Sequence, residues 1–155
     1  MAGEAAKPPP PGVYVPVPTF FVSRNDPNYP STAPPLDLET QAKHAIHLAK
    51  CGIRGLVVLG STGEAVALTS KERSQLLRHV RAELEKANFK DYPIIAGTYT
   101  QGIEDTISQL EDAEAAGAQY GLVLAPGYFA MALNQDGLKD WYTAIAERSP
   151  IPIMM

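Results

Sequence analysis

Five short apolar runs alternate with amphipathic stretches along this chain: Val13–Val17, Leu56–Leu59, Pro93–Gly97, Gly121–Ala125 and Pro150–Met155. Each has the length of a strand, and the unbroken apolar character of Leu56–Leu59 suits burial on both faces of a parallel sheet. Between the runs, apolar residues recur at helical spacing. Leu38, Ala42, Ala45, Ile46 and Ala49 mark a first helix; Leu76, Leu77, Val80 and Leu84 mark a second, from Ser70 to about Ala87. Ile103, Ile107, Leu110 and Ala113 predict a third helix, and Leu138, Trp141, Tyr142 and Ile145 a fourth.

Local punctuation agrees with these elements. Asp37 is placed to cap the first helix and Gly52 to end it. Thr69 and Glu72 have the spacing of a capping box before the second helix. The sequence Cys51-Gly52-Ile53, leading into the second strand, is echoed by Ala116-Gly117-Ala118 before the fourth. Ser23–Pro35, with Asn25, Asp26, Asn28 and several prolines, reads as a long loop. Residues 1–12 read as a disordered, proline-rich tail, leaving 13–155 as the folded unit.

Strands interleaved with helices call for an α/β fold with a parallel sheet and right-handed crossovers. Two architectures fit: an open doubly wound sheet, or part of a (β/α)8 barrel comprising roughly its first four βα units plus strand five. Periodicity alone does not separate them.

Composition narrows the function. The chain has 155 residues, 45% of them apolar, enough for one domain with a core. A net charge of −4 without a basic cluster argues against nucleic-acid binding. No apolar stretch approaches ~18 residues, and the start lacks the apolar core of a signal peptide, so neither membrane nor export is expected. Cys51 is the only cysteine. It predicts no disulfide, a cytoplasmic setting and a small buried side chain at the end of a helical pattern. His44 and His47, expected on a helix surface facing away from the strand ends, and an isolated His79 form neither a metal set nor a triad. No metal and no cofactor are expected.

The chemistry concentrates in Gly60-Ser61-Thr62-Gly63-Glu64, between the second strand and the second helix. Two hydroxyls flanked by glycines, with free backbone N–H groups, are the parts needed to hold a small carboxylate or phosphate. The loop is neither a Walker motif nor a dinucleotide fingerprint. A tight turn carrying a solvated Ser-Thr pair fits the same residues.

Four strand-end motifs in order carry a family likeness: Val17-Pro18-Thr19-Phe20-Phe21, Gly60-Ser61-Thr62-Gly63-Glu64, Ala96-Gly97-Thr98 and Pro126-Gly127-Tyr128. With them the chain resembles the N-terminal half of the dihydrodipicolinate synthase/N-acetylneuraminate lyase family, barrel enzymes that make or break C–C bonds through a pyruvate Schiff base. The resemblance implies that Gly60, Ser61, Thr62 and Gly63 bind the carboxylate of pyruvate or another 2-oxo acid. It implies that Ser61 and Tyr128 belong to a proton relay, with Tyr128 reaching a neighbouring subunit's site in a homo-oligomer. A hydroxyl relay moves protons on and off a carbinolamine without a fixed charge beside the iminium. The chain departs from the family's Thr-Pro-Phe at Thr19-Phe20-Phe21, and Ser61 stands where many members carry threonine. The proline-rich start and extended first loop are similar to members acting on keto-deoxy sugar acids or 4-hydroxy-2-oxoglutarate.

In that family a tyrosine at the end of strand five and a lysine on strand six complete the site, beyond the position of Met155. The lysines here are Lys7, Lys43, Lys50, Lys71, Lys86, Lys90 and Lys139, in polar surroundings. None is expected to have the burial that lowers a lysine pKa into the working range. The chain is therefore expected to hold the cradle without the nucleophile. The alternatives are a non-catalytic paralogue associating with a full-length subunit, or an open α/β domain binding a small anion.

Overall fold

Strand pairing separates the two architectures. The computed structural model describes residues 7–27, 29–30, 32–128 and 130–155. Its elements are β1 (Tyr14–Pro16), α1 (Leu38–Lys50), β2 (Gly55–Val58), α2 (Ser70–Lys86), β3 (Ile94–Thr98), α3 (Ile103–Ala115), β4 (Tyr120–Val123), α4 (Gln135–Ala146) and β5 (Ile153–Met154). All pairings are parallel and the spatial order is β1-β2-β3-β4-β5. A doubly wound sheet reverses direction beside its first strand. Here every strand lies next to its predecessor, as in a barrel wall. The fold is a partial (β/α)8 barrel, and the open doubly wound alternative falls with this order.

Register assigns the two faces. Leu56 pairs with Ile94 and Val58 with Ala96, and these residues belong to the core shared with Leu76, Val80, Leu84 and Leu110 of the helices. The close approach is visible at Gly121, where a Cβ would meet Leu110 Cδ2 at 2.2 Å. Leu56, Leu76, Leu84, Ile94, Leu110 and Ile145 are fully buried, each stabilising the fold by about 2 kcal/mol. On the opposite face, Val57, Tyr120, Leu122 and Met154 are half-buried.

The predicted punctuation is present. Asp37 Oδ1 accepts from the Thr40 N–H at 2.9 Å and caps α1. Thr69 and Glu72 form the complete capping box of α2. Gly52 and Gly117 both have left-handed φ, +85° and +94°, which gives the echoed sequence its physical meaning.

Two expectations fail. Cys51 is exposed, its Sγ 3.6 Å from His47 Nε2. The buried stripe of α1 runs through Ala42, Ala45 and Ala49, and two further residues turn the chain to the opposite side of the helix. His44 does not face away from the strand ends. Its ring stands edge-on to Phe20, just beyond β1, with centroids 5.3 Å apart.

Of the proposed tail, Met1–Ala6 lie outside the described residues. Pro10 is tied to the fold through the Tyr14 hydroxyl, which donates to its carbonyl at 2.6 Å. The long loop is pinched at its base, where Val22 N–H donates to Pro35 O at 2.9 Å and Asp37 N–H to Phe20 O at 2.8 Å. Asn28 and Ser31 within it are outside the described residues.

Candidate functional site

The four strand-end motifs lie at the C-terminal edge of one parallel sheet, the edge where barrel enzymes place their chemistry. The Gly60–Glu64 loop is the most tightly specified of them. Leu59 before it and Glu64 at its end have left-handed φ, +64° and +52°. A bulky, fully buried leucine in that region is an outlier, and such strain persists only where surrounding contacts enforce it.

Gly97 supplies part of that enforcement by its lack of a side chain. A Cβ there would lie 2.2 Å from Leu59 O and 3.0 Å from Gly60 Cα. The β3 backbone and the loop therefore pack directly on each other. Gly63 is held from the other side: a Cβ would meet Leu59 N at 3.0 Å and Val17 O at 3.2 Å. The Thr19 hydroxyl donates to the Gly63 carbonyl at 2.7 Å. Gly60 is different, with nothing nearer to its Cβ position than Val57 Cγ1 at 3.8 Å.

Within the loop, the Gly63 N–H donates to Gly60 O at 3.0 Å and the Glu64 N–H to Ser61 O at 3.2 Å. The N–H groups of Ser61 and Thr62 make no hydrogen bond among the described residues, and both residues are exposed. The loop thus presents two adjacent amide donors and two hydroxyls to solvent on a rigid base. An oxyanion is the natural complement of that set. A 3-10 turn over Ala65–Ala67, absent from the sequence expectation, links the loop to α2.

Tyr128 follows β4 and is 82% exposed; its backbone N–H donates to Gln101 Oε1 at 2.9 Å. The Trp141 indole N–H donates to the Gln101 carbonyl at 3.2 Å, so Gln101 links α4 to the Tyr128 loop. Ser61 and Tyr128 share the sheet edge but follow strands on opposite sides of β3. Phe129 is outside the described residues. Thr98 is buried, its Oγ1 without a hydrogen-bond partner among the described residues; its register with Val123 puts it on the helix-covered face.

Two further polar residues shape this edge. Gln41, fully buried on α1, donates from Nε2 to Pro18 O at 3.1 Å and accepts at Oε1 from the Phe20 N–H at 3.1 Å. It fixes the chain as it leaves β1. Arg73, 5% exposed on α2, donates from Nη2 to Gly97 O at 2.7 Å and to Gln109 Oε1 at 3.3 Å. Its guanidinium carbon lies 5.1 Å from the Tyr99 ring centroid. Burial pulls the Arg73 pKa below the usual arginine range, while Tyr99 and Asp112 push it back up. Sequence held a signal for both residues, since Gln41 interrupts the apolar stripe of α1 and Arg73 stands in line with that of α2, one turn before Leu76 and Leu77.

The comparisons with known proteins agree with this architecture. L-threo-3-deoxy-hexylosonate aldolase from Aspergillus niger is 42% identical over 146 residues, covering 94% of this chain and 41% of that protein. A probable mitochondrial 4-hydroxy-2-oxoglutarate aldolase from Emericella nidulans is 39% identical, covering 94% and 44%. The crystal structure of a dihydrodipicolinate synthase family protein from Coccidioides immitis superposes with a TM-score of 0.77 at 36% identity, covering 94% of this chain and 43% of that one. A chloride-inhibited dihydrodipicolinate synthase from Acinetobacter baumannii, solved in complex with pyruvate, gives 0.77 at 27% identity, covering 92% and 44%. The chain thus spans less than half the length of these relatives. Residues 31–155 match the Dihydrodipicolinate synthetase family, and the chain belongs to that family.

Proposed function

We propose that this chain carries the carboxylate-binding part of a Schiff-base aldolase site that makes or breaks a C–C bond to pyruvate. The observation that carries the reading is the pair of N–H groups at the exposed residues Ser61 and Thr62 that make no hydrogen bond among the described residues, on a loop braced by Thr19 and Gly97. Gly60, Ser61, Thr62 and Gly63 form the cradle, with the Thr62 hydroxyl adding a third donor. Ser61 and Tyr128 act as proton-relay residues. The exposure of Tyr128 suits a side chain that serves a neighbouring subunit in a homo-oligomer.

The second substrate in this reading is an aldehyde that yields a 2-keto-3-deoxy sugar acid or 4-hydroxy-2-oxoglutarate. Sequence identities of 42% and 39% to aldolases bearing those names support it. None of Lys7, Lys43, Lys50, Lys71, Lys86, Lys90 and Lys139 is the nucleophile in this reading, because every one is exposed and a Schiff-base lysine calls for a desolvating pocket or a cationic neighbour. Among the described residues no helix is long and apolar enough to cross a membrane. A cytoplasmic location completes the proposal, and mitochondrial import of the tagged protein would remove that part.

Amide NMR tests the cradle. Pyruvate is expected to shift the Ser61 and Thr62 resonances in a saturable way; no response at either amide refutes it. Borohydride trapping with pyruvate tests the lysines, and a stoichiometric adduct on any of these residues overturns their exclusion.

A further inference from the structure

A buried guanidinium without a carboxylate partner stands directly behind the anion-binding loop. Arg73 is 5% exposed, and among the described residues no acidic side chain lies within 4.0 Å of it. Its Nη1 is buried with no hydrogen-bond partner among the described residues. A buried charge ordinarily requires pairing, so one that is hydrogen-bonded but has no carboxylate at ion-pair distance marks a place where negative charge can arrive from elsewhere.

It does not arrive on the helix side. The cavity there, lined by Ser70, Arg73, Ser74, Gln109 and Asp112, has a volume of only about 10 Å³, room for one water. Asp112 acts on Arg73 through space, beyond ion-pair distance. On the other side a single residue, Gly97, separates the guanidinium from the loop. Its carbonyl takes the Arg73 Nη2–H at 2.7 Å, and its Cα packs on Leu59 and Gly60.

We propose that Arg73 is a positioning residue for the 2-oxo acid carboxylate: it holds the β3 end on which the loop rests, and its buried charge favours an anion at the Ser61 and Thr62 amides. This inference rests on the cradle proposed above. In general, a unit charge about 8 Å from an anion in a medium of effective dielectric near 20 changes its affinity by about tenfold or more. Glu64, the acidic residue of the loop itself, is exposed to solvent and is screened.

The test compares pyruvate with the neutral, nearly isosteric pyruvamide, each titrated against the Ser61 and Thr62 amide resonances of the 155-residue chain. Arg73→Met should weaken pyruvate about tenfold and leave pyruvamide unchanged, whereas Arg73→Lys should restore most of the pyruvate affinity. Equal loss for both ligands makes Arg73 a mechanical brace only and overturns the proposal. So does unchanged pyruvate affinity in Arg73→Met. Silence of the wild-type amides toward pyruvate instead removes the cradle, and the inference with it. Should Arg73→Met fail to fold, the wild-type chain decides alone. A buried charge keeps the preference for pyruvate over pyruvamide at about 1 M salt, where surface charges are screened beyond about 3 Å. Loss of that preference refutes the role.

Discussion

The Thr19 hydroxyl donates to the Gly63 carbonyl at 2.7 Å, a buried bond between strand-end loops 44 residues apart. It ties the chain leaving β1 to the last glycine of the candidate cradle. Thr19→Val preserves shape and strands that carbonyl. The expected loss is about 1–3 kcal/mol, the cost of an unsatisfied buried acceptor. Urea denaturation measures it, and the pyruvate response of Ser61 and Thr62 should weaken in parallel. Wild-type stability in the variant would show that the bond contributes nothing.

Two glycines that look alike in sequence should respond differently to alanine. At Gly97 the added methyl meets Leu59 O at 2.2 Å, and a backbone atom cannot rotate away. At Gly60 the nearest atom is a side-chain carbon at 3.8 Å. Gly97→Ala should cost about 1–3 kcal/mol or more, the range for overpacking, and displace the Leu59–Gly63 resonances. Gly60→Ala should leave the melting temperature and those resonances nearly unchanged. Equal behaviour of the two variants would refute the packing of the loop on β3.

These features also show what was legible in the sequence. Strand and helix limits could be read because local rules set them: the apolar run at Leu56–Leu59, the Asp37 cap, the Thr69–Glu72 box and the left-handed Gly52 and Gly117. Strand order could not be read, because Leu56 beside Ile94 is a choice among similar apolar partners that only tertiary packing makes. The left-handed Leu59 was hidden for a related reason. Nothing intrinsic to leucine favours that conformation; Gly97 and Thr19 hold the loop in it from distant segments, with Gly63 packed against Leu59 from within the loop. Cys51 misled because helical periodicity was extended past the last full turn of α1.

His44 makes stability depend on pH near neutrality. Burial, and secondarily the charge of His47, pulls its pKa below the ordinary value of 6.5. Its Nδ1 is buried with no hydrogen-bond partner among the described residues, and its ring packs on Phe20. The folded state holds the neutral ring, so this contribution is complete above the unfolded pKa. It is lost as pH falls through the depressed folded value. Wild-type stability in urea should therefore decline between about pH 7 and pH 5, and His44→Gln should flatten that decline. A wild-type profile without slope in this interval would contradict the assignment.

The capping box couples helix stability to the site. Glu72 Oε2 accepts from the Thr69 N–H at 2.9 Å and from its hydroxyl at 2.7 Å. Those bonds hold the Glu72 carboxyl below its ordinary value near 4.5. Its contribution is therefore present above about pH 4.5 and lost as pH falls through the lowered folded value. Thr69→Ala should cost about 1 kcal/mol at neutral pH, with the gap to wild type narrowing once Glu72 is protonated. Paired urea titrations near neutrality and near pH 3 measure this. The consequence reaches further than α2 itself. The Arg73 N–H donates to the Thr69 carbonyl at 3.0 Å, so the turn that the cap closes also aims the guanidinium at Gly97. Thr69→Ala should loosen that aim and weaken the pyruvate response of the Ser61 and Thr62 amides. Destabilisation without any change in that response would separate the cap from the site.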